Sequence, residues 1–256
     1  MTDLFFLVSG ENPTLPFSEI KSILGAEGFS YEVLGGLAQV LRVKADTQGL
    51  SAVASRSAMA KACGIEIASC EAEWREILKA IKNAEFASFL SSGETFVVRV
   101  IRVRGSSSRL EAWTLEKRIG EVIFESLKGP KVELRNPQKT FLGILTDGSF
   151  VFGVMAGETT SQGLKERTTR RKVFFHAAAM PAKLARCMVN LAQAGRGDTV
   201  LDPFCGTGTF LVEAGFMGCR VLGFDVKRYM VKGTLRNISL HEVELEGLAV
   251  ADARSI

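Results

Sequence analysis

Three acids set the terms for chemistry in this 256-residue chain: Asp202, Asp225 and Asp252. Each follows an apolar run of strand-like composition, Val200-Leu201, Arg220-Val-Leu-Gly-Phe224 and Leu248-Ala-Val-Ala251. After the first acid comes Pro203-Phe-Cys-Gly-Thr-Gly208, and a helix-like pattern opens at Thr209. A strand that stops at a carboxylate and turns on small residues is expected to leave backbone N–H groups facing a ligand. Gly206 and Gly208 would let a flat polar molecule lie against the main chain, where any Cβ would block it.

The ligand class follows by exclusion. A phosphate loop needs Gly-Lys-Ser/Thr, but Gly208 is followed by Thr209 and Phe210. A dinucleotide turn needs a third glycine, and position 211 is Leu. S-adenosylmethionine fits the remaining pattern. Its ammonium suits Asp202, its ribose hydroxyls can donate to Asp225 at the end of the second strand, and its adenine amino group can donate to Asp252. The candidate cofactor-binding set is Asp202, Phe204, Cys205, Gly206, Thr207, Gly208, Thr209, Asp225, Val226, Asp252 and Ala253. Glycine turns and helix-capping acids are common in α/β proteins, and the ordered triple is what separates this chain from them. Cys205 has no basic partner nearby in sequence and is not expected to be a nucleophile.

These residues need elements to position them. Leu4–Val8, Phe29–Leu34, Ala38–Val43 and Gly64–Ser69 are strand-like, with helical spacing over Pro16–Glu27 and Leu50–Ala60. That β-α-β-β-α-β order predicts a ferredoxin-like unit over residues 1–72, with its hairpin turn at Gly35-Gly36. A second unit over 73–158 has a helix from Trp74, a strand over Thr95–Val103, a long helix over Leu110–Leu127 and strands at Val132–Leu134, Thr140–Leu145 and Ser149–Met155. Residues 159–175 read as a basic linker, and a helix over Pro181–Gln193 leads into the ligand-binding domain at 176–256. The fold class expected is α/β and α+β multidomain, ending in part of a Rossmann-like domain.

Composition sets limits. Apolar residues make up 46% and charged residues 23%, which fits a globular protein. Five cysteines without C-x-x-C spacing read as free thiols, giving a cytoplasmic expectation, and two histidines make a resident metal site unexpected. The net charge of +4 is uneven, because residues 159–256 hold 14 basic and 9 acidic side chains. Arg99, Arg102, Arg104 and Arg109 form one basic group, and Lys165, Arg167, Arg170, Arg171 and Lys172 another. Both are candidate contacts for a polyanion, against the alternative of a solvated face.

The chain resembles the THUMP-domain tRNA methyltransferases that modify a guanine amino group, in particular the archaeal type acting on N2 of guanosine at tRNA position 10. The resemblance covers nearly the whole length. It rests on Ser9-Gly-Glu-Asn-Pro13, Glu166-Arg-Thr-Thr-Arg-Arg-Lys-Val-Phe-Phe-His176, Met180-Pro-Ala-Lys-Leu-Ala-Arg-Cys-Met-Val-Asn-Leu-Ala192 and Asp202-Pro-Phe-Cys-Gly-Thr-Gly-Thr209. It implies a THUMP domain over 73–158, a class I methyltransferase domain, S-adenosylmethionine as cofactor, tRNA as substrate and a small zinc-bearing activator as partner. Ala177-Ala-Ala179 stands where a proline and a glycine are expected. The family's catalytic (Asp/Asn)-Pro-Pro-Tyr tetrapeptide is absent, since the chain contains no Pro-Pro. The sequence therefore reads as a truncated methyltransferase with no catalytic residue of its own. The alternatives are a non-catalytic RNA-binding protein and a DNA amino-methyltransferase.

Overall fold

The computed structural model describes residues 1–127, 129–158 and 173–255. Lys165, Arg167, Arg170, Arg171 and Lys172 lie outside the described residues. The chain forms two compact units.

The first unit comprises Met1–Glu11, Tyr31–Ser51 and Lys61–Glu158. Its strands are β1 (Thr2–Val8), β2 (Tyr31–Leu37), β3 (Val40–Ala45), β4 (Ala60–Glu71), β5 (Thr95–Arg102), β6 (Lys131–Val132), β7 (Lys139–Thr146) and β8 (Ser149–Glu158). All eight share one sheet in the order β2-β3-β1-β4-β8-β7-β5-β6, so strands from 1–72 and from 73–158 run through a single sheet. The glycines at β4 and β8 make this joint tight. A Cβ at Gly64 would sit 2.2 Å from the Val154 carbonyl oxygen, and one at Gly153 would sit 2.0 Å from that of Ile65. Helices α3 (Trp74–Lys82) and α4 (Ala112–Ser126) cover the second half of the sheet with Ile77, Ile81, Leu115, Ile119 and Ile123. Beneath them Phe141 stacks on Phe152 and meets Phe86 edge-on at 5.7 Å.

The hairpin turn is not at Gly35-Gly36. Both glycines are strand residues, paired with Arg42 and Leu41, and the turn is Ala38-Gln39 with Gln39 at φ 59°. Burial of Val40, Leu41 and Val43 fixes the register of β3, which a one-residue slip would invert. A bulge between Val33 and Gly35 absorbs the mismatch. The turn is held from outside, where Ala38 donates its N–H to Asp147 and accepts the Thr146 hydroxyl at 2.7 Å.

The second unit comprises residues 12–30, 52–60 and, among the described residues, 173–255. Three parallel strands, β9 (Thr199–Asp202), β10 (Arg220–Asp225) and β11 (Leu245–Val250), lie in the order β11-β10-β9. Helices α5 (Ala182–Leu191), α6 (Thr209–Gly215) and α7 (Arg228–Leu240) connect and cover them. Strand–helix–strand alternation with a parallel sheet is the Rossmann-like arrangement expected for this stretch. Helix α1 (Leu15–Ala26) also belongs to this unit and packs on α5. The buried Glu19 carboxylate joins them. It accepts from Asn190 Nδ2 on α5 at 2.8 Å, the Ser57 hydroxyl at 2.7 Å, and the N–H groups of Ala58 and Met59. Capture of that backbone explains why α2 (Gln48–Arg56) stops short of the expected Ala60.

Candidate cofactor site

Because β9, β10 and β11 are parallel and adjacent, their carboxyl ends share one edge. Asp202 is the last residue of β9 and Asp225 the last of β10, while Asp252 follows β11 by two residues. The three acids expected from sequence thus lie in order along that edge. A cleft of about 440 Å³ opens there. It brings together Phe204, Asp225, Val226, Asp252 and Ala253 of the expected set, and adds Lys227, Met230 and Arg254.

Gly206 (φ 53°) and Gly208 (φ 76°) shape the turn between β9 and α6, in a region that L side chains rarely adopt. Their N–H groups are not free for a ligand, contrary to the sequence expectation. Gly206 donates to Asp225 Oδ2 at 3.0 Å, Gly208 to the Cys205 carbonyl, and Cys205 to the Phe224 carbonyl. A loop this short closes on itself before it can serve an outside acceptor, so at these positions it offers shape. A Cβ at Gly206 would meet only one atom within 4 Å, the Phe204 carbonyl oxygen at 3.8 Å, so the space before it is open. A Cβ at Gly208 would strike Thr234 at 2.7 Å.

The side chains of Cys205, Thr207 and Thr209 turn inward and are buried. The threonine hydroxyls lie 3.2 Å apart, and the Cys205 thiol faces the Thr234 hydroxyl. Burial pushes the Cys205 thiol up to about 11, which keeps it protonated near neutral pH. Phe204 and Val226 are exposed at the mouth of the cleft.

The acids differ in their surroundings. Desolvation by burial raises the Asp202 carboxyl, the Phe204 N–H at 3.0 Å lowers it, and nearby Asp225 raises it again. Asp225 is tied on both oxygens, to Gly206 N–H and to Lys227 N–H at 2.8 Å. Asp252 grips Arg254, whose guanidinium and N–H hold its carboxyl below the usual range. An ammonium placed beside Asp202 would favour its ionised form. Affinity for S-adenosylhomocysteine should therefore weaken as pH falls through the raised Asp202 titration, and Asp202→Asn should flatten that dependence in a calorimetric pH series.

Sequence reasoning missed the support behind this turn. On α7, Met230, Gly233, Thr234, Asn237 and Ile238 form one buried stripe at helical spacing. Thr234 donates to the Gly206 carbonyl at 2.7 Å, and Asn237 to the Thr207 carbonyl at 2.9 Å. Polar residues on an otherwise apolar stripe were the available signal. Behind α6, Glu213 pairs at 2.8 Å with Arg186 of α5, both buried.

In the first unit the basic group at Arg99–Arg109 is partly consumed internally. Arg99 donates to the Leu134 carbonyl at 2.9 Å and pairs with Glu116, and Arg102 donates to the Leu110 carbonyl. Arg104 and Arg109 are exposed. Among the described residues no cluster of His, Cys, Asp or Glu could hold a metal ion, and no helix is long and apolar enough to cross a membrane.

A half-Rossmann sheet ending in three acids around a glycine turn defines a class I methyltransferase domain, and residues 169–254 match the family model described as RMKL-like, methyltransferase domain. Residues 71–152 match the THUMP domain model. The chain is 31% identical over 254 residues to a tRNA (guanine(10)-N2)-dimethyltransferase of Methanothermobacter thermautotrophicus, covering 99% of this chain and 73% of that relative. A protein of the same description from Methanocaldococcus jannaschii is 37% identical over 153 residues, 58% of this chain and 43% of its own length. The chain belongs to this tRNA (guanine(10)-N2)-dimethyltransferase family. A solved structure titled SMU.472, a putative methyltransferase complexed with SAH, shares the fold at 16% identity, with a TM-score of 0.56 over 96% of this chain and 75% of its own.

Proposed function

We propose that the protein binds S-adenosylmethionine in the cleft at the carboxyl ends of β9–β11 and acts on N2 of a guanosine in tRNA, at position 10. The observation that carries this reading is the row of Asp202, Asp225 and Asp252 at the carboxyl ends of three adjacent parallel strands, with Asp225 and Asp252 lining the cleft and Gly206 open beside them. Family membership supports the tRNA substrate. The bound cofactor would supply an electrophilic sulfonium methyl group.

The chain's own residues would hold and orient it. Gly206 gives the methionine end room to approach the backbone, Gly208 lets Thr234 pack close behind the turn, and Asp202 offsets the ammonium charge. Asp225, fixed by two N–H groups, presents its remaining lone pairs to the ribose hydroxyls. Asp252 can receive the adenine amino group once it shares Arg254, and Val226 and Ala253 supply apolar walls. For a delocalised guanine amine, alignment behind the methyl group is the main requirement, and a base within folded tRNA must be turned out to meet it. Exposed Arg104 and Arg109, with the basic run at 165–172, are proposed to hold RNA phosphates. A small zinc-bearing partner is proposed for the β9 edge of the sheet, where Leu201 is about half exposed.

The test uses the protein, methyl-labelled cofactor and tRNA transcripts. Label on N2 of guanosine 10, lost from a transcript lacking that guanosine, is the expected result. Label on a ring carbon would overturn the reading. The chain spans 73% of the length of its Methanothermobacter relative, and a second reading is a cofactor- and RNA-binding protein without transfer. Binding of S-adenosylhomocysteine and tRNA with no label transferred would establish that one.

A further inference from the structure

The segment around Phe174, which lies before the first strand of the sheet, is fastened to the same helix that fastens the cofactor turn. Asn237 of α7 makes the link. Its Oδ1 accepts the Phe174 N–H at 3.0 Å, and its Nδ2 donates to the Phe174 carbonyl at 2.9 Å. The same Nδ2 donates to the Thr207 carbonyl, also at 2.9 Å. One buried amide therefore spans two backbone segments that lie 33 residues apart in sequence. A turn below, Gly233 makes room for the Phe174 ring, since a Cβ there would stand 2.0 Å from it. Thr234, between them on the same stripe, holds the Gly206 carbonyl. Helix α7 thus grips the turn at Gly206 and Thr207 with Thr234 and Asn237, and the chain at Phe174 with Asn237 and the space left at Gly233.

We propose that Asn237 is a positioning residue that sets the methionine end of the cofactor site by locking the Phe174 segment to the Thr207 carbonyl. This rests on the cofactor reading given above. The ring and backbone at Phe174 then form a fixed wall behind the Gly206–Gly208 turn, and Phe175, exposed, is carried on that wall. The lock acts at one end of the ligand only. Asp225, Val226 and Asp252 are borne by other strand ends and are reached by none of the Asn237 contacts.

That asymmetry supplies the test. Asn237→Ala removes three hydrogen bonds at once, and Gly233→Ala displaces the Phe174 ring without touching Thr207. Helix propensity alone would make Gly233→Ala stabilising, so a loss there cannot come from a weaker helix. Calorimetry on the whole protein would compare S-adenosylhomocysteine, which has the amino-acid arm, with adenosine, which lacks it. We expect both variants to bind S-adenosylhomocysteine about tenfold or more weakly, the scale of one or two buried hydrogen bonds, while adenosine affinity stays within about twofold. Equal losses for both ligands would mean that Asn237 and Gly233 merely hold the fold, and no loss for either would mean that the wall is unused; each result overturns the proposal. A wild-type protein that binds neither ligand would instead sink the cofactor reading itself.

Discussion

Replacing Glu19 by alanine should destabilise the second unit by about 3–5 kcal/mol, the scale of breaking a buried, fully hydrogen-bonded carboxylate. Glu19 is 0% exposed and accepts from four donors: the Ser57 hydroxyl, the Ala58 and Met59 N–H groups, and Asn190 Nδ2. Alanine leaves all of them without this acceptor in a space that water does not reach, and backbone N–H groups cannot be moved elsewhere without unravelling the turn after α2. Glu19→Gln keeps one carbonyl oxygen and should cost less, because it loses only part of the set. Ser57→Ala removes one donor and its own bonds to Met59 and Ala60 N–H, and should fall between them. Since the chain has two compact units, a single unfolding midpoint would blur the effect. Hydrogen exchange read at α1 and α5 resolves it. Protection lost there, with β5 and β7 unchanged, is expected; protection retained in α5 would show that its packing does not need the carboxylate.

That network also shows where sequence reading stops. The strand ends, the glycine turn and the order of the three acids were legible, because each is a local pattern of a few residues whose geometry follows from composition. The β-α-β-β-α-β order was legible for the same reason. Glu19 was not, since its partner Asn190 is 171 residues away and a single glutamate on an amphipathic helix looks like a solvated position. The membership of α1 in the second unit depends on that long-range pairing, and no window of sequence contains both members. Gly35-Gly36 carried a stronger local turn signal than Ala38-Gln39, yet the buried register of β3 and the external hold from Asp147 and Thr146 overrode it. In the site, the pattern located the turn but mistook what it offers. The Gly206 N–H goes to Asp225, 19 residues on, and the Gly208 N–H to the Cys205 carbonyl, while Thr234 and Asn237 take the carbonyls at 206 and 207 from behind.

The three acids look alike in sequence, and their replacement should separate them widely. Asp225→Ala is expected to reduce S-adenosylhomocysteine affinity by about 100-fold or more, since about 3 kcal/mol corresponds to that ratio and two charge-assisted bonds are lost besides any to the ribose. The carboxylate does two jobs. It lines the cleft, and through Gly206 N–H it pins the glycine turn to the end of β10. Asn at 225 has nearly the same shape but must point an NH2 at one of two N–H donors, so it should recover little of the loss. Asp252→Ala should cost much less, about threefold to tenfold, because Asp252 is already engaged by the exposed Arg254 and must share its oxygens with the ligand. Calorimetry with the two variants side by side checks this. A loss at 252 equal to or greater than that at 225 would mean that the adenine end dominates recognition and that the pinning of the turn by Asp225 contributes little. Filter binding of tRNA, measured on the same samples, should remain unchanged in both, since neither side chain belongs to the proposed phosphate contacts. The two acids then differ through what already holds them, one by backbone that cannot leave and the other by a side chain that can.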